Sequence, residues 1–171
     1  MLEVEEKKEN KRKAFSSLGY SMEETNELTD VLNDLLASYH VHYQKLRNFH
    51  WNVKGPDFFD VHEKFEQQYN DAQKAIDDIA ERIRVFGRRP LSTMRGLLEN
   101  SKINENEEDS VKAMDMVKEI IEDYRILMEQ IFDVIELSIE YGDSGTEDMM
   151  KDLVKSMEKN HWMMSAFSSE S

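Results

Sequence analysis

Between His50 and Glu81 the chain reads HWNVKGPDFFDVHEKFEQQYNDAQKAIDDIAE, and five residues of metal-ligating type recur in it: His50, His62, Glu66, Asp77 and Glu81. The last four form two i, i+4 pairs, and on a helical wheel they sit near about 0°, 40°, 60° and 100°. All four share one face. Phe58, Val61, Phe65, Tyr69, Ala72, Ile76, Ile79 and Ile83 fill the adjoining arc, so the ligand-type residues border an apolar stripe. Four ionisable groups at such an edge cost free energy unless something compensates them.

One metal ion within one chain cannot do so. His62 and Asp77 are separated by roughly 22 Å along a helix that rises about 1.5 Å per residue. The two pairs are, however, mirrored about a point between Asp71 and Ala72. A two-fold axis there lays two copies of the helix antiparallel and sets His62 and Glu66 of one chain against Asp77 and Glu81 of the other. The pattern predicts a metal site shared between subunits.

The rest of the chain fits a helical frame. Only two prolines and six glycines interrupt 171 residues, Leu, Met, Glu, Lys and Gln abound, and no run alternates as a strand would. That length suits a single domain over residues 1–171, with a flexible arm at 1–20 and a frayed tail at 168–171. The absence of cysteine excludes disulfides and thiolate metal sites. No apolar run reaches the ~18 residues of a membrane span, and MLEVEEKKENKRKAF lacks the core of a secretory signal, so the expected location is the cytoplasm.

Ser21 with Glu24 offers a capping box for a first helix, whose stripe is Leu28, Leu32, Leu35, Tyr39, His42 or Tyr43, Leu46 and Phe49 or His50. His40 and His42 have no comparable carboxylates and read as structural. Gly55-Pro56 reverses the chain, and a second helix runs from about Phe58 to Phe86 until Gly87-Arg88-Arg89-Pro90 ends it. Leu91 to Leu98 can form a short helix, with Glu99 to Asp109 as a loop. The third long helix carries Met114, Val117, Ile121, Tyr124, Met128, Ile131 and Ile135 as its seam, and the fourth carries Met150, Leu153 or Val154, Met157, His161 and Met164. At these spacings most of the eleven methionines are core filler. The long link between helices two and three suits a connection that crosses a bundle from end to end.

The heptapeptide His50-Trp51-Asn52-Val53-Lys54-Gly55-Pro56, followed by Phe58-Phe59, His62-Glu63 and Asp77-x-x-Ala80-Glu81-Arg82, resembles the signature of the Dps family, the mini-ferritins of the ferritin superfamily. The similarity extends from about residue 22 to Trp162-Met163-x-x-Ala166-Phe167. It implies an all-α, ferritin-like four-helix bundle with a long crossover carrying a short helix. It also implies a hollow dodecamer that oxidises Fe(II), preferably with hydrogen peroxide, at inter-subunit sites holding two irons each, stores ferric oxide, and so protects against oxidative damage. Carried over by position, the family's ligands are His50, His62, Glu66, Asp77 and Glu81. Residue 66 is Glu where the commonest pattern has Asp, one methylene longer and still an oxygen ligand.

Two imidazoles with three carboxylates suit non-haem iron and also accommodate zinc or manganese. Trp51, next to His50, has two readings: packing in the core or at a helix end, or a nearby reductant that quenches stray oxidising equivalents. Glu158-x-x-His161 occurs once, without the second copy that a di-iron site inside the bundle needs, and reads as structural. Asp143, Glu147, Asp148 and Asp152 could line a cation pore at a three-fold contact; a solvated acidic face is the competing reading. The net charge of −14 opposes nucleic acid and attracts cations. In residues 1–14, Lys7, Lys8, Lys11, Arg12 and Lys13 stand against Glu3, Glu5, Glu6 and Glu9, so weak or absent DNA binding is expected. The alternative to a ferroxidase is a non-enzymatic DNA-compacting or structural cage with a zinc-filled or vestigial site.

Overall fold

The structure, a computed structural model, describes residues 18–108 and 110–169. They form five helices: α1 (Met22–Asn52), α2 (Phe58–Val85), α3 (Met94–Asn100), α4 (Ala113–Glu140) and α5 (Ser144–Ser168). The four long ones make the expected all-α, ferritin-like bundle, and α3 lies in the crossover from α2 to α4.

The capping box predicted at Ser21 is present. The Ser21 hydroxyl accepts from the Glu24 amide at 3.2 Å while the Glu24 carboxylate accepts from the Ser21 amide at 2.6 Å, which holds the Glu24 carboxyl below its usual range. From there α1 runs through the middle of the molecule. Leu28, Leu32, Leu35, Leu36, Tyr39, Leu46 and Phe49 are all buried, because α2, α3 and α4 each pack against it. α4 and α5 form the second hairpin.

Hydrogen bonds trace the crossover up the side of α1. The Leu91 amide donates to Asn33 at 2.8 Å, the Lys102 amide to the Ser38 hydroxyl at 3.0 Å, and the Asn48 side chain to the Asn106 carbonyl at 3.2 Å. The link thus starts beside the first half of α1 and ends near its C-terminus. α4 then begins at that end and runs antiparallel to α1, so that Asp123 meets His42 and Lys45 while Tyr141 bonds to Glu27.

Several details differ from the sequence reading. The short helix starts at Met94 rather than Leu91, because Thr93 caps it, its hydroxyl accepting from the Gly96 amide at 3.2 Å. On α4 the buried positions are Met116, Val117, Ile120, Tyr124, Leu127, Ile131 and Val134, whereas Met114, Ile121, Met128 and Ile135 are half-buried. The face is rotated because α4 packs against α1 and α5 at once. On α5 the seam is the seven-residue series Met150, Met157 and Met164, and His161 falls on its exposed edge. Tyr20 packs edge-on against Phe86 with ring centroids 5.5 Å apart, so the expected arm does not extend to residue 20. Its residues 1–17, and residues 170 and 171 of the tail, lie outside the described residues.

Candidate metal centre

The site is built at the α1–α2 reversal. Val53 leaves α1 in an extended conformation, Gly55 takes φ +113°, which a side chain at Cβ would strain, and the Phe58 amide closes the turn on the Gly55 carbonyl at 3.2 Å. The end of α1 therefore lies against the start of α2, and His50 meets His62. Each imidazole is tied to the other's backbone: His50 Nδ1 is 2.8 Å from the His62 carbonyl oxygen, and His62 Nδ1 is 2.8 Å from the His50 carbonyl oxygen. A carbonyl only accepts, so both Nδ1 atoms carry a hydrogen, and Nε2 is the ring nitrogen left to bind a ligand.

Aromatic contacts hold the rings in place. His50 and His62 stack with centroids 3.8 Å apart and an interplanar angle of 19°. Phe58 stacks on the outer side of His62 at 4.9 Å, and Tyr69 meets His50 edge-on at 5.3 Å. One turn beyond His62, Glu66 brings a carboxylate so that ligand atoms of His50, His62 and Glu66 all lie within 4.8 Å of one another. Burial, and then the Glu66 carboxylate beside it, push the Tyr69 hydroxyl above its usual range. Two imidazoles and a carboxylate with ligand atoms that close fit a divalent transition metal.

The structure does not bring all five candidate residues together. His50 is buried and His62 half-buried, while Glu66, Asp77 and Glu81 are exposed. Asp77 and Glu81 lie on the same face of α2, further toward its C-terminus. Among the described residues His50, His62 and Glu66 form the one group with ligand spacing.

Trp51 does not pack in the core. It is 58% exposed, and the Arg47 guanidinium lies over its ring at 4.7 Å. Asp143 is a correction: it is 1% exposed and serves as the N-cap of α5, accepting from the Thr146 amide at 3.1 Å and from Arg82 of α2 at 2.5 Å. A carboxylate so engaged does not line a pore. Its signal was in the sequence, as an Asp three residues ahead of Thr146 at a helix start. Glu147 is half-buried and paired with Lys151, Asp152 is exposed and paired with Lys155 at 2.9 Å, and Asp148 is exposed.

A family model of the ferritin-like domain matches residues 29–170. The chain is 39% identical to DNA protection during starvation protein 2 of Bacillus anthracis, over 82% of this chain and 96% of that one. The chain belongs to the Dps family. Among solved structures, the Dps protein of Vibrio cholerae O1, described as a member of a broad superfamily of ferritin-like diiron-carboxylate proteins, superposes with a TM-score of 0.83 at 38% identity, covering 85% of this chain and 91% of that one. Dps from Staphylococcus aureus gives a TM-score of 0.82 at 37% identity, over 85% and 97% of the two chains. Dps membership brings iron binding, iron storage and DNA protection as the family's general properties.

Sequence reasoning missed two parts of this Dps chain. His42 Nδ1 donates to Asp123 at 3.0 Å and Lys45 to the same carboxylate at 2.8 Å, a buried network between α1 and α4. Phe58 and Tyr69, neither of them read as part of the site, flank the paired imidazoles.

Proposed function

We propose that this Dps-family chain is a ferroxidase and iron store, with Fe(II) and hydrogen peroxide as substrates. The observation that carries the reading is the reciprocal bonding of His50 and His62, which ties both Nδ1 atoms to backbone carbonyls, in a group whose ligand atoms, with those of Glu66, lie within 4.8 Å of one another. That half-site holds three ligands and needs oxygen donors to complete it. Asp77 and Glu81 of a two-fold-related copy supply them, and bridging carboxylates then hold two Fe(II) ions together. Reducing peroxide to water takes two electrons. A pair of Fe(II) ions delivers both at once, so no hydroxyl radical is released, and this is the protection against oxidative damage.

The assembly is a cytoplasmic dodecamer that keeps the ferric product inside. Cations enter past Glu147, Asp148 and Asp152, and Trp51, next to His50 in the chain, reduces an oxidising equivalent that escapes the site. Zinc or manganese fits the same donors and competes with iron. DNA binding at physiological salt is weak or absent, because the net charge is −14; the arm at residues 1–14 lies outside the described residues. A gel shift at that salt that vanishes on deleting residues 1–14 contradicts this last point.

The test of the activity is Fe(II) oxidation followed by absorbance, with oxygen and peroxide compared. Peroxide is expected to give the faster reaction, at about two Fe(II) per peroxide. Protein that binds zinc yet leaves Fe(II) oxidation at the buffer rate refutes the ferroxidase reading.

A further inference from the structure

Phe59 is 81% exposed, which for a phenylalanine beside a metal half-site calls for a partner. Its ring sits edge-on to Phe58 at 5.2 Å, and Phe58 stacks on His62, so what covers Phe59 is linked to a ligand. On the α2 wheel Phe59 lies at about 60°, inside the arc that holds His62, Glu66, Asp77 and Glu81. The mirror point between Asp71 and Ala72, which pairs His62 with Glu81 and Glu66 with Asp77, pairs Phe59 with Arg84. Arg84 lies at about 40° on the same wheel, is exposed, and has Nη1 bound to the Arg88 carbonyl at 2.9 Å, which holds its guanidinium at the end of the helix.

We propose that the occupant of this face is a second copy of the chain, and that Phe59 of each copy stacks on the partner's Arg84, closing the outer end of each shared metal site. The inference rests on the two-fold reading above and adds the contact that holds it. The chemistry is a cation over an aromatic face, desolvated on assembly and made twice per dimer. The latch keeps Phe58 against His62 and excludes water from the nitrogen side of the site.

The test uses the full chain carrying Gln73→Cys, the parent having no cysteine. Under the two-fold arrangement the two introduced thiols lie across the axis, within reach of a bismaleimide spanning on the order of 10 Å. Crosslinking is measured over a dilution series, with helicity checked by circular dichroism. Phe59→Ala and Arg84→Ala are each expected to shift the dimer midpoint about tenfold to a hundredfold toward higher concentration. The swap of Phe59→Arg with Arg84→Phe rebuilds both contacts in reverse and returns the midpoint to within about threefold of the parent. A crosslinked Gln73→Cys chain whose midpoint neither alanine variant shifts, or which the swap fails to restore, overturns the latch and leaves the two-fold site standing. A Gln73→Cys chain that assembles and does not crosslink through the introduced thiols overturns both.

Discussion

The two ends of α2 carry the same kind of residue at the same spacing and are built in opposite ways. At the N-terminal end His62 is stacked between His50 and Phe58, with its Nδ1 fixed on a backbone carbonyl, so the ring keeps one orientation and one tautomer. At the C-terminal end Asp77 and Glu81 are exposed. What is held there is the helix itself: Arg82, one residue from Glu81, reaches Thr146 at 2.8 Å and Asp143 at 2.5 Å, tying α2 to the cap of α5. One end fixes its imidazoles, and the other fixes the backbone from which exposed carboxylates extend. Under the proposed shared site, the nitrogen half is set before metal arrives and the exposed carboxylates complete it.

Four sets of substitutions probe that contrast. Removing either half, by His62→Ala with Glu66→Ala or by Asp77→Ala with Glu81→Ala, should leave assembly intact and lower Fe(II) oxidation by more than roughly a hundredfold in a stopped-flow assay. Arg82→Met strands the buried Asp143 carboxylate and should cost about 3 kcal/mol in urea unfolding, while Co(II) binding to the histidine half is unchanged in its absorption spectrum. Phe58→Ala frees one side of His62 and should weaken Co(II) binding about tenfold, near 1.4 kcal/mol, with Phe58→Tyr restoring it. Ser21→Ala, far from both ends, removes half a capping box and should cost only about 1 kcal/mol in the same unfolding experiment.

How much of this could be read from the chain divides along similar lines. Periodicity located α1, α2, α4 and α5 because each buries a face against its neighbours, and the Ser21 cap and the Gly55 turn are fixed by local chemistry. The grouping of His62 with Glu66, one turn on, was legible from their spacing. The partnership of His50 with His62 was not, since it depends on two carbonyls that face one another only after the α1–α2 reversal. Asp143 was misread as surface because an acidic run does not reveal that Arg82, on another helix, will bury one of its members. The α4 seam was misplaced for a related reason: a helix with two packing partners has an apolar arc too wide for one stripe to describe.

The central claim is that a metal site spans two chains, and complementation tests it directly. The His62→Ala, Glu66→Ala chain and the Asp77→Ala, Glu81→Ala chain are purified, unfolded together and reassembled, and the mixing is verified by mass. With random pairing half the dimers are mixed, and each mixed dimer has one site with every ligand present and one site without four of them. About a quarter of the parent rate of Fe(II) oxidation should return. Verified mixed assemblies that oxidise no faster than either variant alone would contradict the shared site.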